Sequence, residues 1–365
     1  MPVLPDFNNV NNENILKALL KDKFAKYALF MLIFLYITVF LASFICPYKK
    51  DYSNRDKAYC PPSKIYIINE KGKLSLPYTY NYKRFFDKET FETKYVEDKS
   101  KKYKVKYFSK GDKYKLFGMI PFDRHFYDVE KGGELYLLGT DINGRDNFSR
   151  LLYGGQISLT IGFLALLISF PLGMIYGGIS GYLGGKTDFF MMRIAEAIMS
   201  IPSFYLLIIL ASILPANMTS VQRFSLIVVI LALIGWAGFS RVVRGMVLSI
   251  KKREFVLASE SIGASKLRTI VYHILPQTLS YVIVAITLSV PSFILSESGL
   301  SFLGLGIQQP DASWGNMLKE AQEFVNIISR PWLLTPGFLI FVAVLSFNVI
   351  GDTIRDAVDP NSKER

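Results

Sequence analysis

Between residues 251 and 268 the chain sets five Lys or Arg and two Glu among small side chains. The residues that bear on contact are Glu254, Ala258, Ser259, Gly263, Ala264 and Ser265, with Leu275 and Pro276 following. Their chemistry is that of grip, with charges to steer a partner and small side chains that let another surface come close. Phe255, Ala258, Ser259 and Ile262 follow an i, i+3, i+4, i+7 spacing, and Leu267, Ile270, Val271 and Ile274 repeat it beyond Gly263, so two short helices hinged at a glycine are expected. Pro276 suits the first turn of the next helix. A second charged group, Asp141, Arg145, Asp146 and Arg150, could pair internally or meet lipid headgroups, and the individual charges are read as a solvated amphipathic face. Covalent chemistry is poorly served. Two Cys and two His make no zinc-type cluster, and His-Glu-x-x-His, Gly-x-Ser-x-Gly and the phosphate-binding Gly-x-x-x-x-Gly-Lys-Ser/Thr are all missing from the sequence. No catalytic residue, metal ligand or cofactor is therefore assigned, and ATP hydrolysis by that phosphate-binding motif is excluded for this chain.

The elements that must position these residues are membrane spans. Of 365 residues 51% are hydrophobic, with several apolar runs near the ~20 residues that cross a bilayer. The runs lie at 27–46, 157–183, 189–214, 224–239, 277–295 and 332–349, which predicts an all-α polytopic membrane protein with six transmembrane helices. The net charge of +12 is spread over flanks and one long loop without an aromatic-basic reading motif, so nucleic acid is excluded as a partner in favour of membrane lipid. The density of Lys and Arg around 251–268 places that loop in the cytoplasm by the positive-inside rule, together with an N-terminal tail (1–26) and a C-terminal tail (356–365). Gly162, Gly173, Gly177, Gly178 and Gly181 suit close helix packing. Arg193 and Glu196 are expected to pair, and the fifth run to break near Pro291.

Residues 47–136 are rich in Lys, Tyr and Phe and read as a small β-rich extracytoplasmic insertion between the first two spans. One hairpin is expected from 64–68 and 74–76 about Asn69 to Gly72, and a second from 103–108 and 114–117 about a turn at Lys110, Gly111 and Asp112. Cys46 and Cys60 would share an oxidising side, where two free thiols are favoured over a disulfide.

The loop is similar to the "EAA" loop of permease subunits in ABC importers, with Gly263 and Pro276 thirteen positions apart as in that pattern. Leu257 replaces its Glu, and Ser259 its second Ala. Three further stretches resemble the peptide-type members. Leu138-Gly139-Thr140-Asp141 leads through Gly144-Arg145-Asp146, Ser149-Arg150 and Tyr153-Gly154 into the second span, though Gln156 stands where the family often has a basic residue. Glu297-Ser298-Gly299-Leu300-Ser301-Phe302-Leu303-Gly304-Leu305-Gly306 continues to Ser313-Trp314-Gly315-Asn316. Asp352, Arg355-Asp356-Ala357 and Asp359-Pro360 close the chain.

The resemblance implies a C-type permease subunit of a dipeptide/oligopeptide importer in a bacterial inner membrane. It implies a type I fold with a permease core at 137–355 and a cytoplasmic coupling loop at 248–276. It also implies a second homologous permease, two ATPase subunits, an extracytoplasmic substrate-binding protein and a peptide substrate. Glu297, Ser301 and Trp314 become candidates for the translocation path, with Trp314 at headgroup depth. The insertion is expected to rest on or beside the binding protein. Nickel or oligosaccharides are the alternative cargo, and a membrane-anchored receptor is the competing class.

Overall fold

The computed structural model describes residues 12–68, 72–88, 92–116, 119–215 and 217–358. Its helices are α1 (Asn12–Lys21), α2 (Lys23–Phe40), α3 (Ala42–Ile45), α4 (Asn147–Leu183), α5 (Gly185–Met199), α6 (Ser203–Ser212), α7 (Ser220–Ile250), α8 (Glu254–Ser261), α9 (Lys266–Arg268), α10 (Leu279–Phe302), α11 (Trp314–Leu318), α12 (Phe324–Ser329) and α13 (Thr335–Val358). Five helical segments are long and apolar enough to cross a membrane, and six if α5 and α6, bent by 78° at their junction, count as one span. The bend falls at Ser200 to Pro202, where the proline cannot donate to the helical ladder. On α2 the exposed side chains include Phe30, Phe34 and Ile37, a face that water would penalise and lipid would not.

The chain divides into two compact units, the described parts of 1–33, 160–300 and 340–365, and 34–159 with 301–339. In the first, Gly173, Gly177 and Gly181 recur every four residues along α4 and face α7. A Cβ on Gly181 would stand 2.8 Å from the Arg244 carbonyl oxygen, and one on Gly177 would land on that of Ser240. Small residues thus let two backbones touch, as the glycine pattern predicted. Gly177→Ala is expected to cost about 2 kcal/mol through overpacking against an immovable backbone. Gly245→Ala, whose Cβ meets nothing within 4 Å, should be neutral or gain up to about 1 kcal/mol in helix propensity. Thermal unfolding of the two variants in detergent would separate them. Contrary to the expected break, α10 runs through Pro291; proline is tolerated inside membrane helices where neighbours satisfy the freed carbonyl.

In the second unit, β1 (Tyr66–Ile68), β2 (Leu74–Asp87), β3 (Glu92–Leu116) and β4 (Ile120–Val129) form one antiparallel sheet in the order β1-β2-β3-β4. The first expected hairpin is there, although 69–71 of its turn lie outside the described residues. The second is corrected. The turn expected at Lys110, Gly111 and Asp112 is strand interior, with an irregularity in register between Lys110 and Tyr114, and β3 reverses only beyond Leu116, which pairs with Ile120. Gly111 marks a bulge where the His125 ring crosses the backbone, since a Cβ there would stand 2.5 Å from that ring. Cys46 and Cys60 are both buried and free.

Candidate partner-docking loop and the clusters that hold it

The charged loop folds as two short helices about a glycine, as its spacing predicted. Gly263 has φ +83°. Its N–H donates to the Glu260 carbonyl (2.9 Å) and the next N–H, of Ala264, to that of Ser259 (3.1 Å), which is the Schellman closure of α8. Ser265 then caps α9 by accepting from Arg268 N–H. Inward, α8 sends only Val256 and Ser259; Val256 joins Val243, Val247, Ile250, Ile270, Ile274 and Leu275 in one core, and the Ser259 hydroxyl lies 3.3 Å from that of Thr269. Outward stand Glu254, Phe255, Leu257, Ala258, Ile262, Gly263, Ser265, Leu267 and Pro276, with Ala264 half-buried. Ile262 is 86% exposed. Three clefts border this ridge. An apolar one of about 350 Å³ is lined by Val242, Gly245, Met246 and Ile250, with Arg241 and Arg253 beside them. The second is lined by Tyr182, Leu257 and Glu260, and the third by Leu267, Arg268 and Tyr272.

Sequence reasoning missed what ties the ridge to the spans. Asp188, in the first turn of α5, accepts from Arg244 Nε and Nη2 of α7 (both 2.5 Å) and from Ser180 Oγ of α4 (2.6 Å). Lys251 Nζ donates to the Gly181 carbonyl (2.8 Å), and the Tyr182 hydroxyl donates to Glu260 of α8 (2.6 Å). Arg193 and Glu196 pair as expected, at 2.9 Å on the surface.

The second charged group is not the solvated face that was expected. Asp141, Arg145, Asp146 and Arg150 are all buried. Arg145 Nε donates to Asp141 Oδ2 (2.6 Å), Arg150 Nε lies 3.4 Å from the same oxygen, Arg145 also donates to Gln309, and its Nη2 is 3.8 Å from Glu320. Glu320 in turn accepts from the Ile142 N–H (3.1 Å). Asp141, Arg145 and Arg150 pair with one another, and Arg145 also with the stretch before and after α11, so they clamp two segments far apart in sequence, while Asp146 accepts from Ser149.

Burial pushes Asp146 up to about 7 against the hydrogen bonds it accepts from Ser149, and burial and then the charge of Asp141 push Glu320 up to about 7. In the unfolded chain both carboxyls ionise near about 4. The folded chain therefore holds protons that the unfolded chain has shed, and the stability this provides is complete below about pH 4 and is lost as pH rises through 7. Unfolding temperature is expected to fall between about pH 4 and about pH 7 and to level off above, and Asp146→Asn should flatten the fall. An unchanged slope in that variant would remove Asp146 from the account.

The three path candidates are all withdrawn from the surface of this chain. Glu297 and Ser301 are buried on α10; the Ser301 hydroxyl accepts from the Ile307 N–H (3.0 Å) and so folds back the connection that follows. Trp314 is fully buried. Its indole N–H donates to the Leu151 carbonyl (2.9 Å), the Ser158 hydroxyl accepts from its backbone N–H (3.1 Å), and Gly155 leaves room for its ring. Ser313 and Asn316 cap α11 reciprocally.

Residues 169–364 match the family profile described as "binding-protein-dependent transport system inner membrane component", and residues 13–62 that of the N-terminal transmembrane domain of oligopeptide transport permease C. The dipeptide transport system permease protein DppC of Bacillus subtilis (strain 168) is 46% identical over 224 residues, 61% of this chain and 68% of that protein. The oligopeptide transport system permease protein OppC of Haemophilus influenzae is 42% identical, over 62% of this chain and 71% of its own length. The nickel transport system permease protein NikC of Escherichia coli (strain K12) is 37% identical, over 61% and 78%. Matched over more than half its length, and with several apolar helices long enough to span a bilayer, the chain belongs to the binding-protein-dependent transport system inner membrane component family, the multi-pass permeases of ABC importers.

Proposed function

We propose that this chain is one of two homologous permeases in an ATP-driven importer of short peptides, with six spans, both termini cytoplasmic and an extracytoplasmic binding protein delivering cargo. The observation that carries the reading is the ridge at Gly263. It leaves Phe255, Leu257, Ile262 and Leu267 exposed between Lys251, Lys252, Arg253, Lys266 and Arg268, a surface too charged for lipid and too apolar to stay in water. An ATPase groove of matching shape covers it. Closure of two ATPases then pushes on α8, and the core beneath α8 passes the push to α7 and α10. Differential binding of ATP to the closed state drives the change. Because Ser301 and Trp314 are buried and hydrogen-bonded, they position the segment between the fifth and sixth spans rather than touch cargo.

Peptide is favoured over nickel because the relatives named for dipeptides and oligopeptides are the more similar ones, and no group of three or more metal-ligating side chains lies among the described residues. Reconstitution with the partner permease, ATPases and binding protein should give ATP-dependent accumulation of labelled di- to pentapeptides and none of radiolabelled nickel. Nickel accumulation without peptide accumulation would reverse the assignment of cargo.

A further inference from the structure

The β3–β4 hairpin carries an aromatic face whose position is set by the membrane spans. Phe44, in α3 directly after the span α2, has its ring centroid 6.1 Å from Phe108, 6.3 Å from Phe122 and 6.1 Å from Phe126. On the other side of β4 the His125 ring nitrogen Nδ1 lies 2.7 Å from the Cys46 carbonyl oxygen, and the Tyr127 ring centroid is 6.4 Å from that of Phe148, in the first turn of the span α4. β4 is thus seated beside the end of the apolar run 27–46, where hydrocarbon gives way to headgroups, and against the first turn of α4, nine residues ahead of the apolar run that begins at 157.

His125 and Tyr127 point inward and are buried, whereas Ile120, Phe122 and Phe126 alternate with them on an open face, and Met119 before β4 is 78% exposed. Phe108 adds an exposed ring at φ +51°, a left-handed conformation that is strained for a bulky residue. Strain accepted to turn an aromatic ring outward needs a surrounding that rewards it. Between residues 104 and 124 there are six Lys or Arg against two Asp.

We propose that the β3–β4 hairpin is a membrane-surface anchor, its Phe108, Phe122 and Phe126 face lying in the headgroup layer and its lysines on anionic phosphates. Apolar rings flanked by basic side chains settle at the boundary of headgroups and acyl chains, and each Lys or Arg near an anionic surface adds attraction that salt weakens. A contact with the binding protein would require the same face to be free of lipid.

The test uses the full chain in nanodiscs that contain phosphatidylglycerol, with a nitroxide on Met119→Cys or, as reference, on Leu74→Cys at the start of β2, where the side chain is 83% exposed. Cys46 and Cys60 are buried and leave the added thiol as the reactive one. Collision with a water-soluble nickel chelate should be about tenfold lower at residue 119 than at residue 74, and collision with oxygen higher, as at a lipid interface. Replacing phosphatidylglycerol by phosphatidylcholine should restore part of the chelate access. Equal chelate access at the two positions would overturn the proposal. Protection of residue 119 that appears only on adding the binding protein would also overturn it, and would give this face to that protein.

Discussion

Gly263→Val is expected to abolish co-purification of the ATPases and peptide uptake together, while the variant still inserts into the membrane. Gly263 closes α8 at φ +83° and holds two consecutive hydrogen bonds in the Schellman arrangement. A β-branched residue is an outlier at that backbone conformation, so the chain relaxes the turn and α8 leaves its angle to α9. Among the described residues nothing lies within 4 Å of the added Cβ. The spans therefore have no clash to absorb, and the damage is confined to the ridge. Gly263→Asn separates backbone from surface, because Asn visits the left-handed region readily. If conformation decides, Asn retains most of the uptake that Val loses. If close approach of the ATPase decides, Asn loses it as Val does. Either result supports docking at Gly263. Full ATPase association and uptake in the valine variant, with the protein normally inserted, would refute it.

Most of what the sequence made legible is local and periodic. The spans announce themselves by length of apolar run, the α4 face by glycines recurring every four residues, and the hinge of the loop by one glycine between two helical spacings. What was missed depends on partners distant in sequence. Arg145 meets Gln309 and Glu320, and the Ile142 N–H meets Glu320, across more than 160 positions, so the charges of Asp141 and Arg145 looked solvated when they are buried. The same holds for the face of α8. Phe255 and Ile262 satisfy an apolar periodicity, but the residues turned inward are Val256 and Ser259, because the core below offers space for a valine and a hydroxyl partner at Thr269. Gly111 misled in another way. A glycine between charged residues suggests a turn, and only the His125 ring lying across it reveals a bulge. Trp314 looked like an interfacial residue, yet Leu151 and Ser158 supply polar partners that make a buried indole affordable.

The second large effect is expected at Asp188, the carboxylate that holds α4, α5 and α7 together beneath the loop. It accepts two hydrogen bonds from Arg244 and one from Ser180. Its side chain is 14% exposed and that of Arg244 is 32% exposed. Breaking a fully buried pair costs about 3–5 kcal/mol because one charge is left without compensation. Partial access of water to Arg244 reduces this, and about 2 kcal/mol is expected for Asp188→Ala. Arg244→Lys should not rescue the geometry, since an ammonium cannot make the two-pronged contact of a guanidinium. The double variant Asp188→Ala/Arg244→Ala should be more stable than the sum of the two single losses predicts, because it removes the stranded charge as well as the pair. Unfolding midpoints of the four proteins in detergent give the cycle directly. Transport should fall in step with stability in each of them, since α8 keeps its own tie to α4 through Tyr182 and Glu260. Strict additivity would show that Asp188 and Arg244 act independently and that the clamp beneath the loop lies elsewhere.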